Sequence, residues 1–370
     1  MERFLLRRLS LGRPRFSGPA DHNGWALDWC PWQVGMDMNT TGRESEASRS
    51  SMRPPGGWRD YVALARPDHW VKHIFILPGL VLAWVLHPTE VTELVVPLVI
   101  GFASAAALSS ANYCLNEWLD AERDAFHPSK STRPAVAKEM SGRLVALEYV
   151  ALAALGLVLA ARLSGLFLGT GIVFLLSGII YNVRPFRTKD RPFLDVVSES
   201  INSPIRLTMG WAIVDSTTLP PSSLLLGFWM AGAYLMALKR FAEYRHAGAT
   251  GTLDQLVLYR KSFSAYSENT LLLSSFLYSQ LAAFFLAVFL IKYRVEYLLS
   301  LPLFAALFTS YLRIALKGES KVQTPERLFR ERTLVVLLAL LVVALALLTW
   351  IDIPALERLY EPHYISLPED

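Results

Sequence analysis

Four polar residues recur at a helical interval in the stretch NYCLNEWLDAERD: Asn112, Asn116, Asp120 and Asp124. On a helix each step of four advances about 40° around the axis, so neighbouring members share one slowly drifting face. Aspartates along one face suit a hard divalent cation. Mg²⁺ in particular is held by one or two carboxylates together with substrate phosphate oxygens. Lys130 and Arg133 follow within reach, and their charges suit a diphosphate. A solvated helix end with ordinary charges is the plain alternative. The spacing, the adjacent cations and the abrupt onset after the apolar run 94–108 favour a binding face.

A second acidic pair, Asp195 and Glu199, stands at i, i+4 in a segment that also carries Ser198, Asn202 and Arg206. Acids within spanning segments are costly, and they usually line a cavity or an ion path. Two such pairs at one depth predict two Mg²⁺ clamping a diphosphate between them. Arg206, about three turns beyond Asp195, either contacts a phosphate or pairs with Glu199. Lys239, Arg240 and Tyr244 close the sixth apolar segment, where ordinary flanking charge is the competing reading. Lys72 precedes the first segment beside Arg66 and Trp70, the latter readable as an interface anchor. The runs 259–262 and 330–332 read as lipid-headgroup contacts. His127 reads as a loop residue, with a general-base role as the alternative, and Glu148 as water-facing near its helix end.

The elements that must position these residues are apolar. Hydrophobic residues are 53% of the 370-residue chain and charged ones only 18%, with a net charge of +4. That balance predicts an all-α polytopic membrane protein with a cytoplasm-facing cavity. Segments fall near 71–87, 94–117, 143–161, 165–182, 193–214, 222–239, 268–291, 296–315 and 333–350, nine in all. Each is about long enough to cross a ~30 Å hydrocarbon layer. The first is broken by Pro78-Gly79 and the fifth is the least apolar. Lys and Arg concentrate in the N-terminal stretch and after the even-numbered segments, as in Arg184, Arg187, Lys189 and Arg191, and are sparse elsewhere. By the positive-inside rule those connections and the N-terminus face the cytoplasm, which brings both acidic pairs to the cytoplasmic surface.

Residues 1–60 are rich in Arg, Ser, Gly and Pro and read as a disordered extension. Arg3, Arg7, Arg8, Arg13 and Arg15 give it the look of an organellar transit peptide. A non-functional tail, or a true start near Met52, is the plainer reading. Residues 351–370 form a short tail after a domain spanning 61–350. Cys30 and Cys114 stand far apart, implying neither a disulfide framework nor a zinc site. No GxGxxG or Walker-type loop points to a soluble nucleotide-binding fold, and nothing points to nucleic acid as a partner.

Asn116-xxx-Asp120-xxx-Asp124, followed by His127-Pro128 and Arg133-Pro134, resembles the first signature of the UbiA-type intramembrane prenyltransferases. Asp195 to Arg206, followed by Gly210, resembles the second acidic region of that family. Arg66-Pro67-xx-Trp70-Val71-Lys72, Lys239-Arg240-xxx-Tyr244 and Arg260-Lys261-Ser262 look most like its decaprenyl-phosphate phosphoribosyltransferase branch. Glu199 departs from the Asp of many members, and residues 1–60 match nothing in the family. The resemblance implies Mg²⁺ held by Asp120, Asp124 and Asp195, with Asn116 and Glu199 completing the shell. It implies phosphates gripped by Lys130, Arg133 and Arg206, and catalytic work by the three aspartates. The partners implied are a diphosphate-bearing substrate and a polyprenyl lipid. The bacterial inner membrane is the expected location. The residues themselves leave open a transporter, whose acids and Arg206 would bind ions, or a non-catalytic lipid-binding protein.

Overall fold

The computed structural model describes residues 53–127, 130–317 and 331–356, the side chains of Val71 and Lys72 excepted. Most of residues 1–60, all but the first part of the tail, Pro128, Ser129 and Arg330 therefore lie outside the described residues, as does the side chain of Lys72. The long helices are α3 (Val91–Asp124), α4 (Gly142–Leu163), α5 (Gly165–Asn182), α8 (Ser222–Thr250), α10 (Glu268–Tyr293), α11 (Leu301–Ala315) and α12 (Arg332–Trp350). Before them come α1 (Trp58–Leu64), a 3₁₀ segment (Pro67–Ile76) and α2 (Leu77–Leu86). Between α5 and α8 lie the short α6 (Leu194–Ser200) and α7 (Asn202–Val214), and α9 (Leu253–Tyr259) follows α8.

Among the described residues seven helical spans are long and apolar enough to cross a bilayer, or eight with the pair Trp58–Trp70 and His73–Leu86, bent by 46°. The expected nine are not all reproduced by length and composition, because the fifth segment is two short helices. Pro204 lies in the first turn of α7, where its missing N–H removes the hydrogen bond that would carry α6 across Ile201. The bend lies between Trp70 and His73, ahead of the expected Pro78-Gly79 break. His73–Leu86 continues through that pair as one span that changes from 3₁₀ to α at Leu77.

Two helices run past their expected ends. The second expected segment, 94–117, lies within α3, which begins at Val91, continues to Asp124 and carries the whole acidic repeat on one rod. The sixth does not end at Lys239. Helix-favouring residues carry α8 to Thr250, where Gly251 at φ 68° closes it in the left-handed conformation.

Small residues decide which helices meet. Without a hydrophobic drive between helices in lipid, close backbone approach supplies the packing. The 3₁₀ segment and α2 lie directly on α7: a Cβ at Gly79 would sit 1.9 Å from the Leu207 carbonyl oxygen, and one at Gly210 would sit 2.0 Å from that of Ile76. Along α3, Ser104, Ala105, Ala106, Ala107 and Ala111 are buried, and the Ser104 hydroxyl donates to the Gly156 carbonyl of α4 at 2.7 Å. Outward faces are apolar, as on α12 with Val335, Val336, Leu340 and Val343 exposed.

Candidate active site

Asp120 and Asp124 leave the last turn of α3 into a field of cations. Asp120 accepts from Lys189 Nζ at 2.6 Å and Arg187 Nη2 at 2.7 Å. Asp124 accepts from Arg133 Nη1 at 2.6 Å, with Lys130 Nζ 4.0 Å away. Asn116, one turn back, lies 3.4 Å from Lys189 Nζ. Asn112 faces α5, where its amide donates to the Phe174 carbonyl. Arg187 and Lys189 come from the short loop between α5 and α6. There Asp190 binds Arg123 at 2.6 Å and Arg187 at 3.0 Å.

The second acidic pair is organised by Arg240 on α8. Its Nη2 lies 2.6 Å from Glu199 and its Nε 3.2 Å from Asp195. Asp195 is fully buried and further bonded by the hydroxyls of Ser262 and Tyr266. Glu199 also accepts from Tyr181 at 2.7 Å.

Arg260 joins the two groups. It donates to the Tyr181 hydroxyl at 3.0 Å and stands 3.6 Å from Asp195 and 3.8 Å from Glu199. With Asp120, Arg123, Lys189, Asp190 and Tyr259 it also lines a small cleft. Within the run 259–262, Tyr259 and Ser262 are buried and Arg260 turns to the acids, while Lys261 stays exposed; Lys130 meets the Tyr259 hydroxyl. For Tyr259, Arg260 and Ser262 this corrects the expectation of headgroup contacts. Positive charge read from sequence carries no sign of depth, and what drives the run inward is its hydrogen bonding to buried acids and tyrosines.

Exposure separates the carboxylates. The side chains of Glu199 and Asp120 are 25% and 14% exposed, those of Asp124 and Asp195 1% and 0%. Loop charges are tuned by the same crowding. Burial drives the Lys189 ammonium down to about 8 although Asp120 opposes the change. Burial acts to raise the Asp190 carboxyl, but the hydrogen bond and charge of Arg123, with Arg187, hold it below the usual range. His127, its ring edge-on to Tyr259, is lowered to about 4 by burial and by Lys130, so it is neutral at pH 7.

Of the other expected residues, Lys239 stays beside the second acidic pair, while Tyr244 and Arg206 lie apart from it. Tyr244 packs against the buried cluster around Phe241 and Phe263. Lys239 feels Glu243 and Glu199. Arg206 makes no ion pair with Glu199; its guanidinium lies over the Phe174 ring, 5.8 Å from the centroid. Arg187, Lys189, Arg260, Tyr181 and Tyr259 were not legible as site residues. The dense run Arg184-Pro185-Phe186-Arg187-Thr188-Lys189 held the signal, but it reads equally well as membrane-flanking charge.

Residues 74–330 match the model of the UbiA prenyltransferase family. The chain belongs to that family. The family is one of integral membrane proteins, in keeping with the apolar helices. The chain is 26% identical over 196 residues to protoheme IX farnesyltransferase of Alkalihalophilus pseudofirmus, a match covering 52% of this chain and 62% of that protein. It is also 26% identical over 240 residues to decaprenyl-phosphate phosphoribosyltransferase of Mycolicibacterium smegmatis, covering 63% and 71%. The structure of a UbiA homolog from Archaeoglobus fulgidus bound to GPP and Mg²⁺ shares the fold, with a TM-score of 0.59 at 21% identity. That match covers 78% of this chain and 99% of the other.

Proposed function

We propose that this chain is a Mg²⁺-dependent transferase that moves a phosphoribosyl group from phosphoribosyl diphosphate to a polyprenyl phosphate. The observation that carries this reading is the surplus of positive charge around the two acidic pairs. Asp120 is met by Arg187 and Lys189, Asp124 by Arg133 and Lys130, and Asp195 and Glu199 by Arg240 and Arg260. Asp190 and Glu243 share these cations, while Arg123 and Lys239 add to them. A donor bearing a phosphate besides its diphosphate suits that excess better than a prenyl diphosphate, whose remainder is apolar. The likeness to the M. smegmatis transferase points the same way.

The residues present fit Mg²⁺ as an open site. Among the described residues no three His, Cys, Asp or Glu side chains converge as a ready shell. Mg²⁺ needs only one or two carboxylates when phosphate oxygens complete its coordination. Asp120 and Glu199, the more exposed acids, would hold it directly, with Asn116 beside Asp120. Asp124 and Asp195 would join only as Arg133 and Arg240 turn away. Bound there, Mg²⁺ would neutralise the diphosphate and ease its departure. The cations released from the acids, Arg187 and Lys189 first, then have phosphate oxygens to hold. The C1–O bond to the diphosphate breaks and a C1–O bond to the acceptor phosphate forms, releasing pyrophosphate. A phosphate monoester arrives largely ionised at pH 7, so attack needs no general base. Residues 61–350 would form this transferase, with its site on the cytoplasmic face of a bacterial inner membrane.

A second reading is prenyl transfer from a polyprenyl diphosphate to an aromatic acceptor, favoured by the likeness to protoheme IX farnesyltransferase. Membranes containing the protein separate the two. Label should pass from radiolabelled phosphoribosyl diphosphate into the polyprenyl phosphate fraction. Consumption of polyprenyl diphosphate with a ring acceptor, and no ribosyl label in lipid, would establish the second reading instead.

A further inference from the structure

Inward of the acidic pairs lies a set of buried polar groups that the donor chemistry does not use. Both ring nitrogens of His73 are without a hydrogen-bond partner, although its side chain is 3% exposed. The buried Arg206 Nε and Asn202 Oδ1 lack partners as well. The 3₁₀ segment that carries His73 packs on α7, which carries Asn202 and Arg206, and the two backbones touch at Ile76 and Gly210. Tyr113 on α3 closes the group. It feels the charges of Arg206, Arg66 and Glu199, its ring is edge-on to His69, and Arg66 lies over it at 5.9 Å.

A buried polar group without a partner costs about 1–3 kcal/mol, and more when it is charged. All the other buried or half-buried arginines at the site meet carboxylates. Among the described residues Arg206 meets none. A guanidinium left so, next to a ring nitrogen donor and a tyrosine hydroxyl, is a receptor for an anion. Its surroundings tell which one. The flanking residues Ile76, Phe174, Ile205 and Met209 belong to an apolar core cluster, and Phe174 stacks beneath the guanidinium. The diphosphate-binding cations, Arg187 and Lys189, belong to the loop at the opposite, cytoplasmic side of Glu199, while Asn202 bonds back to the Glu199 carbonyl at 2.9 Å.

We infer that Arg206, His73 and Tyr113 form the seat for the anionic head of the lipid acceptor, a phosphate monoester. This rests on the transferase reading above and assigns its second substrate to a place separate from the first. The acceptor then approaches from the lipid side while the donor enters from water. Two anions are kept apart until the diphosphate leaves.

The test measures binding without turnover: farnesyl phosphate titrated against the full chain in detergent, with farnesol and phosphoribosyl diphosphate in parallel. Wild type should bind farnesyl phosphate well above farnesol. Arg206→Met should weaken that binding roughly ten- to hundredfold and leave phosphoribosyl diphosphate unchanged. His73→Leu should weaken it less. Arg206→Lys keeps the charge and guards against misfolding of the Met variant; it should fall between wild type and Arg206→Met. Wild-type affinity for farnesyl phosphate in Arg206→Met, or a loss confined to phosphoribosyl diphosphate, overturns this seat and leaves the transferase reading standing. No binding of any prenyl phosphate by wild type removes both.

Discussion

Asp120 is held by two cations, and its usefulness depends on their letting go. A carboxylate locked to Arg187 and Lys189 at 2.7 and 2.6 Å is unavailable to a metal until a phosphate competes for them. Asp120→Asn keeps the shape and removes the charge. Its turnover should fall on the order of 10²–10³-fold, with thermal unfolding in detergent close to wild type. Lys189 makes the pH dependence specific. With its ammonium lowered to about 8, the charge that would hold phosphate is lost above that pH, and kcat/KM should decline there. Lys189→Arg should carry activity to higher pH. Stability moves the other way. Between about 8 and the ordinary 10.5 the unfolded chain binds a proton that the folded chain has released, so this group's contribution to stability rises with pH. A pH profile of activity beside one of melting temperature checks both signs.

At the level of elements, the Asn116–Asp124 repeat was legible because one helix carries it, and a four-residue spacing has a single geometric meaning there. The run of α3 to Asp124 was not, since a search for apolar length stops where polar residues begin. The split between α6 and α7 was missed for a related reason: Pro204 was present in the sequence, but an apolar average passes over it. Arg260 was misplaced because a basic residue in a loop looks the same whether it turns to lipid or to buried tyrosines. The contact of α2 with α7 depends on Gly79 and Gly210, where a side chain has no room against a carbonyl. Gly210→Val should cost on the order of 1–3 kcal/mol and spread α2 from α7. A lowered melting temperature, with activity lost in parallel, is the expected result. Arg260→Ala should leave Arg240 as the one arginine paired with Asp195 and Glu199 among the described residues. Turnover should fall while the helical circular dichroism signal stays.

For the whole molecule, the all-α class and the membrane setting followed from composition and spacing. The number of spans did not, because a broken helix can cross a membrane without any single piece being long enough to show it. The arrangement accounts for why the chemistry is built here. On the proposed reading the charged donor would enter at the ends of α3 and α6, and the lipid acceptor would meet the polar group where the 3₁₀ segment packs on α7. The claim on which this depends is that the α3 carboxylates and their cations take a Mg²⁺-bound diphosphate. Pyrophosphate release by the full chain in lipid nanodiscs, supplied with phosphoribosyl diphosphate and a polyprenyl phosphate, tests it most directly. Release should require Mg²⁺, stop on chelation and fall on the order of 10²-fold or more in Asp120→Asn. Release that persists at the wild-type rate under chelation, or in that variant, would contradict the account.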